Sequence, residues 1–469
     1  MSHLGAGQII GFALTLALMT WIGIRSGRKV KSSSDFSVGS RRAGPAIVAG
    51  TIMGTLVGGA STIGTAQLAY SYGFSAWWFT LGAGLGCVVL ALFYVRPIRM
   101  SGKETITQII ASEYGNTAKA IAGISLSLGI FLNIIAQVLA GVALLVSLSG
   151  MSPFPAAVVT ILCMGSFVLF GGVWGAGSAG TAKTVLLYVS VLSGGFVALS
   201  LAGGIGGVTS AFPAFPWFSL IGRGAQVDLS AGFSLIIGVL STQTYLQAVI
   251  SGRDDRAAIQ GALGSAVLIP PIGIAGILIG LFMRMAHPSI DPVTVFPQFV
   301  IMYLPPWLGG VVLAALFVAV LGTGAGLALG VGVILAKDLY AWLINPRAGD
   351  REMLLASRIA IGCVMTAALF FISGNLKSLI LQWSFLSMGL RGAAVFAVLS
   401  GAIFLKGRVP WPFAVASIAA GPFAMLSWKL LFPSGLDPLI PGMAASLAML
   451  VAGIGCSSLF RASPPTSRT

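Results

Sequence analysis

The sequence AIVAGTIMGTLVGGASTIGTAQLAY, residues 46–70, is an apolar stretch that carries five glycines, at positions 50, 54, 58, 59 and 64. A bilayer core needs roughly 20 apolar residues per helix, so the stretch is long enough to cross it. A second stretch, residues 231–251, carries Gly232 and Gly238 followed by the polar run Ser241-Thr242-Gln243-Thr244-Tyr245. Because clustered glycines and a polar run both weaken a helix in the middle of a membrane, we expect two interrupted transmembrane helices.

The composition of the whole chain agrees with a membrane location. Of 469 residues, 8% are charged and 57% are hydrophobic, and the mean hydropathy is +0.99. A soluble domain carries about 25% charged residues, so the sequence excludes a cytosolic enzyme and a nucleic-acid-binding domain despite its net charge of +15. Long unbroken apolar runs favour helices over a β-barrel. The predicted fold class is therefore an all-α polytopic membrane protein.

The apolar runs predict about thirteen transmembrane helices, numbered here as spans one to thirteen. They are residues 6–24, 46–70, 75–95, 117–148, 153–173, 182–204, 231–251, 257–284, 307–335, 356–374, 378–404, 411–431 and 439–459. The polar links between them are short. We therefore expect residues 1–469 to form a single transmembrane domain without a soluble catalytic or nucleotide-binding domain.

The basic residues predict the orientation of these spans in the cell membrane. With the N-terminus outside, 21 of the 26 Lys and Arg residues fall in cytoplasmic links or tails, and the C-terminus is cytoplasmic. The outer links hold only Arg223, Arg284, Lys377 and Lys429, and Arg391 lies within span eleven.

The two interrupted helices are spans two and seven, which are five helices apart. Because five is odd, a five-helix repeat would have inverted topology, with spans 2–6 matching spans 7–11. This predicts one repeat at about residues 46–204 and a second at about 231–404. Paired interrupted helices are typical of transporter binding sites.

The acidic residues argue against catalysis. All eleven Asp and Glu residues lie in links or at helix ends, and the sequence has no histidine cluster and no nucleotide-binding motif. We therefore expect neither an enzyme nor an ATP-driven pump, and no cofactor other than a coupling ion.

Three motifs resemble the sodium:solute symporter family. They are Asp35-Phe36-Ser37-Val38-Gly39-Ser40-Arg41-Arg42 before span two, Ser241-Thr242-Gln243-Thr244-Tyr245-Leu246-Gln247 in span seven, and Lys337-Asp338-Leu339-Tyr340 after span nine. The resemblance covers about residues 6–460. It implies the inverted-repeat fold shared with the bacterial leucine transporter, and secondary transport by alternating access.

The resemblance also implies a sodium site where the broken part of span two meets span nine. Its ligands would be the carbonyl oxygens of Gly54, Val57 and Ala319 and the hydroxyl of Thr323. Position 322, where the family usually has serine, is glycine. Oxygen ligands suit Na⁺, a hard cation. The alternative is that Gly322 and its neighbouring glycines form a helix-packing face.

Lys183 marks a second departure from the family. Many members carry a Thr-Asp pair near the inner end of span six, whereas this chain reads Ala179-Gly180-Thr181-Ala182-Lys183. In some transporters of the same fold a lysine on the equivalent helix sits at the sodium site and couples protons, which makes Lys183 an alternative coupling residue. The simpler interpretation, which we prefer from the sequence, is that its ammonium extends to the inner headgroups.

Arg391 is the candidate substrate anchor. About 20 Å of helix separates it from Phe404 near the inner face, so it lies inside the hydrocarbon. The sequence offers no intramembrane carboxylate to neutralise it, so backbone carbonyls, water or a bound anion must do so. Guanidinium binds carboxylate in a bidentate manner, which predicts a carboxylate substrate; a gate residue bound to carbonyls is the alternative. The remaining substrate candidates are polar residues of the interrupted helices: Ser61, Thr62, Thr242 and Gln243.

The predicted function is symport of a small organic solute, a carboxylate or an amino acid, with a cation, for which Na⁺ is the first choice. A proton-coupled or uncoupled carrier on the same fold is one alternative. A membrane-embedded solute sensor that does not transport is an alternative from another class. The partners expected are the solute and the lipid bilayer, and no nucleic acid.

Overall fold

The computed structural model describes residues 5–27, 41–103, 105–341, 344–345, 347–432 and 436–456, and within its helices the side chains of 19–27, 167–182, 333, 337–338, 350 and 354 lie outside the description. The described residues are helical and contain no strand. One isolated parallel bridge joins Ala43 and Gly252. Residues 35–40 of the first family motif, and the side chains of Lys337 and Asp338 in the third, lie outside the described part.

The α-helices of the first half include two long ones, at Ile106–Ser149 and Pro153–Leu201. They are α1 Ala6–Gly27, α2 Pro45–Leu56, α3 Thr65–Tyr72, α4 Trp78–Val89, α5 Val95–Met100, α6 Ile106–Ser149, α7 Pro153–Leu201, α8 Gly204–Ala211 and α9 Ala214–Trp217. Shorter π and 3₁₀ turns connect some of them, at Ala60–Gly64, Gly73–Trp77 and Leu90–Tyr94.

The α-helices of the second half follow from residue 225 onward. Its α-helices are α10 Ala225–Leu240, α11 Gln243–Ser251, α12 Asp255–Ala286, α13 Val295–Tyr303, α14 Pro306–Ile334, α15 Asp350–Ser373, α16 Ile380–Phe404, α17 Trp411–Leu431 and α18 Leu439–Gly455. The additional turns are Pro292–Thr294 and Leu335–Tyr340.

Both predicted interruptions are present. Helix α2 ends at Leu56 and Val57 is extended, with φ −85° and ψ 97°, before a π turn at Ala60–Gly64 leads into α3. We call residues 57–59 the first break. Helices α10 and α11 meet at an angle of 48° around Ser241 and Thr242, the second break. Short π segments inside helices are frequently found at functional sites.

The number of membrane crossings is confirmed only coarsely. By length and apolarity, eight helices in the described part could cross a membrane, or nine if α10 and α11 form one span. The predicted spans five and six both fall in α7, which at 1.5 Å per residue would extend roughly 73 Å if straight, more than twice a bilayer core. The expected boundary between them, at residues 174–181, lies where side chains are outside the description.

The residues just before α2 are hydrogen-bonded to the end of α11. Ala43 donates its N–H to the carbonyl of Ser251 at 3.0 Å, and its own carbonyl accepts from the N–H of Arg253 at 2.9 Å. Arg99 reinforces this junction, because its Nη1 donates to the carbonyls of Val249, Ile250 and Gly252 at 2.7–3.2 Å, and its Nε binds Asp255 at 2.6 Å. The charged guanidinium thus donates to carbonyls at the negative end of α11.

Candidate functional site

The first break releases one backbone oxygen from its helical hydrogen bond. In a continuous α-helix the N–H of Gly58 would donate to the carbonyl of Gly54. Here the N–H of Gly58 donates to Ser61 Oγ at 3.0 Å instead. The carbonyl of Gly54, at the negative end of α2, is therefore available to a cation.

Lys183 uses this carbonyl. Its Nζ donates to the oxygen of Gly54 at 3.0 Å and to Thr323 Oγ1, on α14, also at 3.0 Å. The residue is only 5% exposed. The headgroup interpretation of Lys183 is therefore wrong: the side chain points into the protein and binds two of the predicted sodium ligands. Sequence reasoning preferred the interface because Lys183 is near the inner end of its predicted span, and the depth of the first break is a tertiary property.

The other predicted sodium ligands lie on the same two elements. Val57 begins the first break, three residues after Gly54, and Ala319 lies one turn before Thr323 on α14. Both are buried, with exposures of 1% and 0%. A Cβ added at Gly322 would lie 3.5 Å from Lys183 Nζ, so the missing side chain and the ammonium are neighbours. Of the four predicted ligands, Gly54 and Thr323 are thus linked by their shared hydrogen bonds to Lys183 Nζ.

An amide that the sequence analysis missed completes the first break. Gln137 Oε1, on α6, accepts the N–H of Gly59 at 3.0 Å, and Gln137 Nε2 lies 3.4 Å from Asn133 Oδ1. Both amides are buried. The signal was available, because a lone Gln and Asn in an otherwise apolar helix require partners.

Arg391 binds the second break. The guanidinium, 1% exposed, donates from Nη1 to Thr242 Oγ1 at 2.9 Å. Nη2 lies 3.1 Å from Ser387 Oγ and from Met388 Sδ, and Nε donates to the carbonyl of Ser387 at 3.2 Å. All these acceptors are neutral. Gly129 of α6 makes room for the side chain, because a Cβ there would be 2.4 Å from Arg391 Cγ.

The remaining substrate candidates, Ser61, Thr62, Thr242 and Gln243, lie in three different environments. Ser61 and Thr62 donate to the carbonyl of Gly58 at 3.0 and 2.9 Å, so they hold the geometry of the first break. Gln243 Oε1 accepts the N–H of Ile106 at 2.8 Å, at the beginning of α6. The described contacts join Thr242 to Arg391, and α16 also packs against the π turn that contains Ser61 and Thr62.

These contacts define the class of protein. Two apolar helices are interrupted. At the first break a backbone carbonyl binds the ammonium of Lys183, and the second break is bound by a buried guanidinium whose acceptors in the described part of the chain are all neutral. This is the arrangement of a secondary transporter, in which half-helix ends bind ions and solute.

The comparisons with known proteins agree. The chain belongs to the sodium:solute symporter family, whose profile matches residues 36–418. It is 23% identical to the sodium/proline symporter of Haemophilus influenzae, over 95% of this chain and 94% of that protein. It is 24% identical to a high-affinity choline transporter of Caenorhabditis elegans, over 76% of this chain and 67% of that one. The chain is therefore a multi-pass membrane transporter and not an enzyme, and sodium is the coupling ion of its family.

The fold is shared with a solved structure of a Na⁺-coupled sialic acid symporter in a substrate-bound outward-open state. The TM-score is 0.77 at 18% sequence identity, and the match covers 97% of this chain and 98% of that chain. The predicted all-helical transporter fold is thereby confirmed.

Proposed function

We propose that the protein carries a small organic solute with a carboxylate group across the membrane together with Na⁺, by alternating access. The solute would bind between the two breaks, with Arg391 as its anchor and Ser61, Thr62, Thr242 and Gln243 contributing to the site or to its shape. The cation would bind at Gly54, Val57, Ala319 and Thr323. Thirteen spans, the inverted repeats at about 46–204 and 231–404, and an N-terminus outside the cell belong to the same proposal.

The observation that supports a carboxylate is the environment of Arg391. A charged side chain inside the membrane costs at least ~2.5 kcal/mol on insertion scales. The guanidinium has only hydroxyl, carbonyl and thioether acceptors to offset that cost. A carboxylate would replace the weak Met388 and Thr242 contacts by two charge-assisted hydrogen bonds, which are roughly twice as strong as neutral ones. The guanidinium in this environment is therefore suited to bind an anion.

The solutes named for the relatives favour this choice without deciding it. Proline and sialic acid both carry a carboxylate, whereas choline does not. A neutral or cationic solute is therefore the second candidate, and Arg391 would then be a gate residue bound to neutral oxygens.

Uptake into proteoliposomes tests the proposal. A panel of radiolabelled carboxylic acids, each paired with its methyl ester, should give accumulation of at least one acid in Na⁺ buffer, with its ester rejected. Arg391→Lys keeps the charge but loses bidentate geometry and should weaken apparent affinity by roughly tenfold or more, whereas the exposed Arg408→Lys should not. Equal uptake of acid and ester would refute the carboxylate. Equal accumulation in Na⁺ and choline buffer would refute sodium coupling, and binding without accumulation would favour a sensor.

A further inference from the structure

We propose that Lys183 is a built-in competitor of sodium: its ammonium occupies the cation site, and Na⁺ binds there only after the side chain has left. The inference rests on the proposed function, because it concerns the cation site of the same transporter. It adds a residue that controls when that site is open.

The position of Nζ carries the inference. The ammonium is 3.0 Å from the Gly54 carbonyl, which the first break has freed, and 3.0 Å from the Thr323 hydroxyl. These two oxygens come from different helices, and a cation that bridges α2 and α14 has to use both. The lysine therefore stands in for the cation itself rather than for a ligand of it.

A protonated lysine and Na⁺ cannot share these oxygens. Two unit charges about 3 Å apart repel strongly even at an effective dielectric constant of about 20. The two contacts of the ammonium are to neutral oxygens, so no ion pair holds it there. Its charge is stabilised by the negative end of α2, which would stabilise Na⁺ in the same way.

The glycine at position 322 fits the same interpretation. A Cβ on this residue would touch Nζ at 3.5 Å, and a longer polar side chain would need the space that the ammonium fills. The chain thus lacks a hydroxyl at the point where it provides an amine. Lys183 is buried and its Nζ is fixed by two hydrogen bonds, so an accidental contact of a surface lysine is not what the structure shows.

Binding of ²²Na⁺ to the purified full-length protein, followed by scintillation proximity, tests the inference with the ion alone as the probe. Lys183→Met removes the charge and keeps an unbranched side chain. We expect it to lower the half-saturating Na⁺ concentration at least tenfold relative to wild type. Lys377→Met is the matched control, because Lys377 is exposed, and it should leave sodium binding unchanged. Adding Thr323→Ala to Lys183→Met should remove most of the gain, since the freed site uses that hydroxyl.

Unchanged or weaker sodium binding by Lys183→Met would overturn the inference, provided the variant elutes as wild type in size exclusion. If Lys183→Met fails that check, Lys183→Gln is measured in its place with the same expectation. A gain that survives Thr323→Ala would also overturn it, because the ion would then bind elsewhere. Failure of the proposed function looks different: a wild type without sodium-driven uptake, beside a Lys183→Met protein with tighter ²²Na⁺ binding, would refute coupling and leave the role of Lys183 intact.

Discussion

Replacing Ser61 by alanine tests whether one hydroxyl keeps the Gly54 carbonyl free for the proposed cation site. Ser61 is fully buried, and its Oγ accepts the N–H of Gly58 and donates to the carbonyl of the same residue, both at 3.0 Å. Two hydrogen bonds at a net 0.5–1.5 kcal/mol each correspond to roughly 1–3 kcal/mol of unfolding free energy. In the variant, the free N–H of Gly58 can return to the carbonyl of Gly54 and restore a regular helical turn.

That return would make the Gly54 oxygen less available to the proposed cation. Competition by one hydrogen bond, about 0.5–1.5 kcal/mol, raises the half-saturating Na⁺ concentration roughly 2- to 13-fold. Binding of ²²Na⁺ and thermal unfolding of the purified protein measure both effects. Ser71→Ala is the control, because Ser71 lies in α3 beyond the break and its hydroxyl only approaches the Gln67 carbonyl at 3.4 Å. Sodium affinity within twofold of wild type, in a variant as stable as Ser71→Ala, would refute the reasoning.

Three further substitutions test the packing around Arg391, the contacts of Arg99 with the end of α11, and the pH dependence of stability. Gly129→Ala should lower the unfolding free energy by about 1–3 kcal/mol, because its Cβ would overlap Arg391, whereas Gly362→Ala, with open space around it, should not destabilise; equal melting curves would contradict this. Arg99→Ala should cost about 1.5–3 kcal/mol, read from the same unfolding curves, since three carbonyls lose a charged donor; a change below 0.5 kcal/mol would show that the junction does not depend on it. Burial raises the pKa of Asp437, which lies between α17 and α18. The protonated carboxyl is therefore favoured on folding, and the stability of the protein falls as pH rises through that pKa. We expect Asp437→Asn to melt at a higher temperature than wild type at pH 8 but not at low pH; a difference that does not change with pH would contradict this.

Much of the fold could be predicted from hydropathy alone. The predicted spans at 257–284, 307–335, 378–404 and 411–431 agree within a few residues with α12, α14, α16 and α17. A bilayer forces each crossing to be a long apolar helix, so the boundaries are encoded locally. The two interruptions were equally readable, because glycines and consecutive polar residues cannot continue a membrane helix without cost.

The contacts between side chains of different helices could not be predicted from the sequence in the same way. The pairing of Arg391 with Thr242 joins positions 149 residues apart, and nothing in either local sequence indicates the partner. Gln137 is an intermediate case: a lone amide in an apolar helix indicates a polar partner, but which face of α6 meets the first break is not encoded locally.

Solvation by lipid acts on each segment separately, so the local sequence is sufficient to specify an all-helical membrane protein with two interrupted helices and a buried arginine. The direction of the Lys183 side chain is different, because it depends on contacts between distant segments. The sequence allows two environments for its ammonium, the lipid headgroups or the protein interior. Which one it occupies depends on whether oxygen atoms without other partners lie within reach. The Gly54 carbonyl and the Thr323 hydroxyl come from helices 129 and 140 residues away along the chain, so the folded arrangement alone brings them to the amine.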